Sequence, residues 1–283
     1  VVKVPPPTPE QPRHALELAL EDAYTHGVTT VQDFSDWDDF LVFEQMEKED
    51  KLPIRISEWL RFDDPVNVEQ EQRAHHTSTD RMLRTTMLKG FMDGSLGSRT
   101  AAMNAPYADD AGNSGIPRFT QAELNTMAIQ RARSGFQMGF HAIGDRAVEM
   151  ALDAFAAAEQ ATQSDAIPPQ VVTPIAGKSF VFPHRDLRWR IEHSQVAGPG
   201  DFARYKQLGV IASMQPNHLL TDMAWAGARL GPERSQYAYA WKSFLDAGVP
   251  LAYGTDYPVE PIAPFRGVYA SVTRMNEAGT MSL

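Results

Sequence analysis

Two hydrophobic periods take turns along this chain of 283 residues. In "HALELALEDAYTHG", Ala15, Leu16, Ala19, Leu20 and Ala23 recur at helical spacing, with Thr8 as the expected cap and Gly27 as the stop. The β-branched run "VTTVQDF" predicts a strand at 28–34; "FLVFEQMEKEDK" predicts a helix at 40–51 and "LPIRISEWL" a strand at 52–60. A polar helix over 65–82 and a strand over 85–93, "TTMLKGFMD", follow. A long loop, 94–118, leads to a helix over 120–134, a strand over 136–143 and an Ala-rich helix over 145–160 with Asp145 at its N-cap. The polar stretch 161–186 reads as an insertion, because the alternation then resumes. A strand over 187–195, a helix over 199–208, a strand over 210–215, a loop, a helix over 235–247 and a strand over 250–256 complete it, with a last helix from about 263.

Strands alternating with helices argue for a parallel sheet. Seven strands are predicted, whereas a (β/α)₈ barrel of the TIM type needs eight. The favoured reading is a single barrel domain over 1–283 whose first strand lies upstream of Val1. A doubly wound open sheet is the alternative, since seven strands suffice there.

Composition removes several function classes. The chain has no Cys, so disulfides, thiolate nucleophiles and Cys-based zinc sites are excluded. Its formal net charge is −10 and no Lys/Arg run offers a phosphate-binding stripe, which speaks against nucleic acid. No apolar run approaches membrane-spanning length, so no membrane partner is expected.

The polar residues at strand ends carry the chemistry. The strand 85–93 holds Lys89, the strand 136–143 holds His141 near its end, the strand 187–195 ends with His193, and "YGTDYP" puts Asp256 at the tip of the last strand. Alternation places Arg190, Glu192 and Ser194 on one face of "RWRIEHSQV" and Trp189, Ile191, His193 and Gln195 on the other. In a barrel all these strand ends meet at one mouth. Neutral imidazoles and a carboxylate ligate zinc or a similar divalent ion, which lowers the pKa of water to roughly 7. Asp256 beside that water would carry its proton to a leaving group. An ammonium cannot ligate a cation, so Lys89 joins the set only as a carbamate formed with CO₂. Each residue alone has a structural explanation: a snorkelling Lys89, a core His141, an Asp256 that caps a turn.

Five ordered stretches, "LKGFMDGSLGSRTAAMNAPYADDAGNSG", "GFHAIGDRAVEMALDAF", "WRIEHSQV", "SMQPNH" and "YGTDYPVEPIAPF", resemble the amidohydrolase superfamily. Within it they look most like amidohydrolase family 3, the branch that includes N-substituted formamide deformylases. The resemblance implies a (β/α)₈ barrel with Lys89, His141, His193 and Asp256 as metal ligands and Asp256 also as proton carrier. It further implies hydrolysis of a non-peptide C–N bond in an amide, formamide or cyclic amide, with zinc as the metal. His193 would steady the developing oxyanion if not committed to metal. The family also has a His-x-His pair on its first strand and a small accessory β-sandwich, and neither occurs here. The chain is therefore expected to be an internal portion of a longer enzyme.

Specificity is expected in the connections 94–118 and 216–235, at the barrel mouth. Arg99, His218 and Asp222 are the candidate substrate contacts, with Trp225, Tyr237 and Trp241 as wall residues. Arg99 could equally anchor its own loop. The expected partner is a small amide-type substrate, with a homodimer as the oligomer to test. Two other classes compete: a non-catalytic binding barrel that has lost His-x-His, and a phosphate-binding open sheet. The stretch "DGSLGSRTA" lacks the Lys-Ser/Thr ending of a P-loop, which disfavours the latter.

Overall fold

The computed structural model describes residues 8, 10–63, 82–162, 171–175, 178–181, 187–280 and 282. Its elements begin with α1 (Glu10–Thr25), β1 (Thr30–Phe34), α2 (Trp37–Lys48), β2 (Arg55–Arg61), β3 (Leu83–Phe91), α3 (Gln121–Arg133), β4 (Gln137–Ala142) and α4 (Asp145–Thr162). They continue with β5 (Val171–Ile175), β6 (Lys178–Val181), β7 (Arg190–His193), α5 (Asp201–Leu208), β8 (Ile211–Met214) and α6 (Pro216–Asp222). The last are α7 (Ala226–Ser235), α8 (Trp241–Asp246), β9 (Leu251–Tyr253) and α9 (Pro264–Thr273). The chain divides into two compact units, Val1–Leu88 with Val171–Val181, and Lys89–Gln170 with Phe182–Leu283. Among the described residues no helix is long and apolar enough to cross a membrane.

In the first unit β1 and β2 run parallel, from Thr30 opposite Arg55 to Phe34 opposite Trp59. Helix α2 buries Phe40, Phe43 and Met46, three residues apart, while Ile54, Ile56 and Phe62 are buried around β2. The stretch expected as an insertion contains an antiparallel hairpin of β5 and β6. The polar helix expected over 65–82 lies outside the described residues except for residue 82, which is in a bend.

Strand β2 also buries a carboxyl. Glu58 Oε1 accepts hydrogen bonds from Ser35 N at 3.1 Å and Ser35 Oγ at 2.5 Å. Burial first, and then the charge of Asp33, pushes the Glu58 carboxyl up to about 9. The folded state thus keeps a proton that an unfolded glutamate, titrating near 4.5, gives up. Folded protein binds more protons across that window, so stability falls as pH rises through it. Thermal melts of Glu58→Gln between pH 6 and 9 are expected to show a flatter pH dependence than wild type. Parallel curves would mean that Glu58 is ionised in the fold.

In the second unit β4 pairs with β7, β7 with β8 and β8 with β9, all parallel. Strands neighbour one another in chain order, β1-β2-β3 in the first unit and β4-β7-β8-β9 in the second. A doubly wound sheet needs a reversal of strand order, and none occurs, so that alternative is set aside. Helix α3 opens with a capping box in which Thr120 and Glu123 satisfy each other's backbone N–H groups. Helix α4 buries Val148, Ala151, Leu152 and Phe155, and Phe155 stacks between Phe140 of β4, at 4.7 Å, and Trp189, at 5.1 Å.

Two expectations change here. The connection 216–235 holds α6 and α7, and the helix expected over 235–247 shrinks to α8. Pro216 sits in the first turn of α6, where its missing N–H costs nothing, and Gly231 breaks α7 with φ 74° just before Pro232. These Pro and Gly residues read as loop signals in the sequence. Asp145 is the first helical residue of α4, and its Oδ1 accepts from Asn104 N and Arg146 N, both at 2.9 Å.

Candidate metal centre

The site grows from the ends of β3, β4, β7 and β9, all in the second unit. At the end of β3, Lys89 is buried with its Nζ 5.2 Å from the centroid of the Phe91 ring. Burial pulls the Lys89 ammonium below its usual range, while the charges of Glu192 and Asp256 push it back up. Four residues on, Asp93 is buried and accepts three backbone N–H bonds, from Ala102 at 2.9 Å, Ile143 at 3.1 Å and Gly144 at 2.8 Å. Burial outweighs those bonds and lifts its carboxyl to about 7. Asp93 therefore ties the 94–118 loop to the end of β4, where His141 stands.

His141 Nε2 donates to the Gly94 carbonyl at 2.9 Å and lies 3.4 Å from Asp93 Oδ1. That bond puts the ring proton on Nε2 and leaves the lone pair on Nδ1. Burial, reinforced by Lys89, lowers its pKa to about 3, so the ring is neutral. The turn behind it tolerates no side chain. A Cβ on Gly144 would lie 2.0 Å from the Ala102 carbonyl oxygen and 2.5 Å from its carbon, and both are backbone atoms. Gly144→Ala is expected to cost about 2–3 kcal/mol in urea unfolding; an unchanged midpoint would show that the loop yields freely.

His193 corrects one expectation. Alternation placed it on the face of Trp189 and Ile191, yet Trp189 stacks on Phe155 of α4 while His193 lies edge-on to His141 at 4.4 Å. The register pairs His141 with Glu192 and Ala142 with His193, so regular pleating would turn His193 away from His141. The strand ends instead in two left-handed residues, His193 with φ 72° and Ser194 with φ 44°. That break re-aims the ring through a conformation non-glycine residues adopt at a cost. Asp256, just beyond β9, shares it with φ 58°.

His193 is buried, and its Nδ1 has no hydrogen-bond partner among the described residues. Burial, then the charges of His141 and Lys89, hold its pKa well below the usual range, so it too is neutral. The His218 ring stacks on His193 at 5.6 Å and 17°, and its Nε2 is 3.5 Å from Asp256 Oδ2. One ligand atom from each of His193, His218 and Asp256 lies within 4.8 Å of the others. Burial raises the Asp256 carboxyl, while His218 and Lys89 lower it. Two imidazoles beside a carboxylate, with buried ring nitrogens lacking a hydrogen-bond partner among the described residues, fit a divalent cation.

The other candidates fall elsewhere. Arg99 is bound to Asp109 on its own loop through Nε at 3.0 Å and Nη2 at 2.7 Å. Arg229 of α7 bonds the same carboxylate at 2.9 Å, and Arg234 bonds the carbonyls of Ala105 and Pro106. The two connections expected to set specificity are thus clamped together. Asp222 accepts from Gln195 Nε2 at 3.1 Å and from the Tyr239 hydroxyl. Trp241 and Tyr239 line a narrow recess with His193, Gln195, Met214 and His218. Trp225 packs under the Arg229 guanidinium, 4.9 Å from its ring.

Sequence reasoning missed a buried polar cluster in the strands. Arg190 bonds Glu192 through Nε and Nη2, and Ser213 Oγ of β8 accepts from Arg190 at 2.5 Å while donating to Glu192 at 2.6 Å. Asp93 was missed as well. Two of the three backbone N–H groups that Asp93 satisfies, those of Ile143 and Gly144, lie 50 and 51 residues away, so its environment leaves little local signature.

A family model described as the amidohydrolase family matches residues 1–281. The chain belongs to the amidohydrolase family. Among relatives in this family, "Protein LONG AFTER FAR-RED 3" of Arabidopsis thaliana is 32% identical over 94% of this chain and 44% of its own length. The "Putative amidohydrolase YtcJ" of Bacillus subtilis (strain 168) is 27% identical over 96% of this chain and 47% of its own. The crystal structure of an uncharacterized metal-dependent hydrolase from Pyrococcus horikoshii OT3 is 28% identical, with a TM-score of 0.78 over 94% of this chain and 49% of that one. This amidohydrolase-family chain therefore spans about half the length of the curated relatives it matches.

Proposed function

We propose that the second unit carries the metal centre of a hydrolase acting on a non-peptide C–N bond of an amide, formamide or cyclic amide. The observation that carries this reading is the buried, neutral His193, whose Nδ1 lacks a partner, beside His141 and within reach of Asp256. Family membership and the likeness to a metal-dependent hydrolase support it. His141, His193 and Asp256 would hold the ion, with Lys89 as a further donor once carbamylated. Burial favours the neutral Lys89 amine, the form that adds to CO₂ and releases a proton to give an anionic carbamate.

A bound divalent ion, with zinc favoured by this donor set, would supply a Lewis acid and lower the pKa of water to roughly 7. Asp256 takes the proton from the attacking water and passes it to the departing nitrogen. Gly94 and Asp93 hold His141 in one tautomer, which fixes its ring before substrate arrives. The clamped loops give the substrate a rigid wall.

Plasma mass spectrometry on protein purified without added metal, repeated after zinc and bicarbonate loading, tests the reading. Near-stoichiometric metal that is lost in His193→Ala is expected, followed by turnover of N-substituted formamides or cyclic amides. Negligible metal after loading would overturn it.

A further inference from the structure

We propose that His218, on the helix that follows β8, is itself a protein ligand of this metal rather than a substrate contact; this rests on the metal-centre reading above. Its side chain is 12% exposed, and its Nε2 is buried with no hydrogen-bond partner among the described residues. That nitrogen faces Asp256 Oδ2 across 3.5 Å, while the ring lies nearly parallel to His193. A buried imidazole that merely packed would place its polar nitrogen on a donor or acceptor. Here the ring nitrogens of two histidines and a carboxylate oxygen converge on one another instead.

The helix is fastened to both neighbouring ligands. Asp222, one turn after His218, accepts from Gln195 and Tyr239, and Gln195 lies two residues beyond His193. Tyr239 and Gln195 bond each other at 2.7 Å, which closes the triangle. On the other side Thr221 Oγ1 donates to Glu260 at 2.7 Å, four residues beyond Asp256, and Arg266 holds Glu260 at 2.5 Å. Pro216 in the first turn fixes where the helix starts. His218 is thereby locked to the segment carrying His193 and to the segment carrying Asp256. Such support around a ligand sets its position before the ion arrives. Asp222 is accordingly a positioning residue.

Titration of the full chain with Co²⁺, followed by visible absorption and calorimetry, tests this without an activity assay. Wild type is expected to bind one ion, and His193→Ala none. His218→Ala and His218→Asn are both expected to bind more than about 100-fold more weakly with an altered cobalt spectrum, and Asp222→Asn about 10–100-fold more weakly. Far-UV circular dichroism identifies any variant that has unfolded, and the His218→Asn variant keeps a polar side chain at that position. Wild-type affinity and spectrum in both His218 variants, with binding still lost in His193→Ala, would overturn the role of His218 and leave the metal centre standing. No binding by wild type would overturn both.

Discussion

Asp256→Asn is expected to lower kcat of the proposed hydrolysis by roughly 10²–10⁴-fold, the range that a positioned proton carrier supplies. The fold should survive, because the Asp256 side chain is 41% exposed and Asn fills the same volume. The left-handed φ of 58° at this position is also one that Asn adopts as readily as Asp. What the amide lacks is the ability to accept a proton and hand it on. Measured at saturating metal, kcat and kcat/KM should fall together, since the lost interaction belongs to the transition state. A change confined to the metal concentration needed for activity would reduce Asp256 to a ligand. Unchanged turnover would remove it from the mechanism.

The parts of the candidate site legible in the sequence were those that sit on a strand or just beyond its end, with a local signature. Lys89, His141 and Asp256 each interrupt or end an apolar run, so periodicity alone places them. His193 was proposed for a partly mistaken reason. Strand alternation turned it toward Trp189, and only the left-handed residues at the strand end bring it to His141. No period of two encodes that break. The parallel sheet was likewise readable, because β–α alternation over many segments averages out local errors in strand bounds. Helix α6, which carries His218 and Asp222, was read as loop because Pro216 and its short length mask it. What fixes that helix is side-chain bonding from Asp222 to Gln195, 27 residues away, and from Thr221 to Glu260, 39 residues away. Tertiary bonds of that span have no trace in a window of ten residues.

Glu192→Ala should cost about 3–5 kcal/mol of stability, the range for breaking a buried ion pair by removing one partner. Arg190 and Glu192 are both buried, and the register sets Glu192 between His141 of β4 and Ser213 of β8. Truncation takes away the carboxylate that two guanidinium nitrogens and the Ser213 hydroxyl all bond. The positive charge of Arg190 then stays in the interior without it. Replacing both residues, as Arg190→Met with Glu192→Leu, should cost much less, since no charge is then left behind. The same carboxylate also raises the pKa of Lys89, so its loss pushes that buried amine further toward the neutral form. Urea unfolding of Arg190→Met, Glu192→Leu and the double variant gives the coupling directly. A loss below about 1 kcal/mol in Glu192→Ala would place the pair among solvent-screened surface contacts, which would mean that water enters between these strands and that Lys89 is not dry enough to be held neutral.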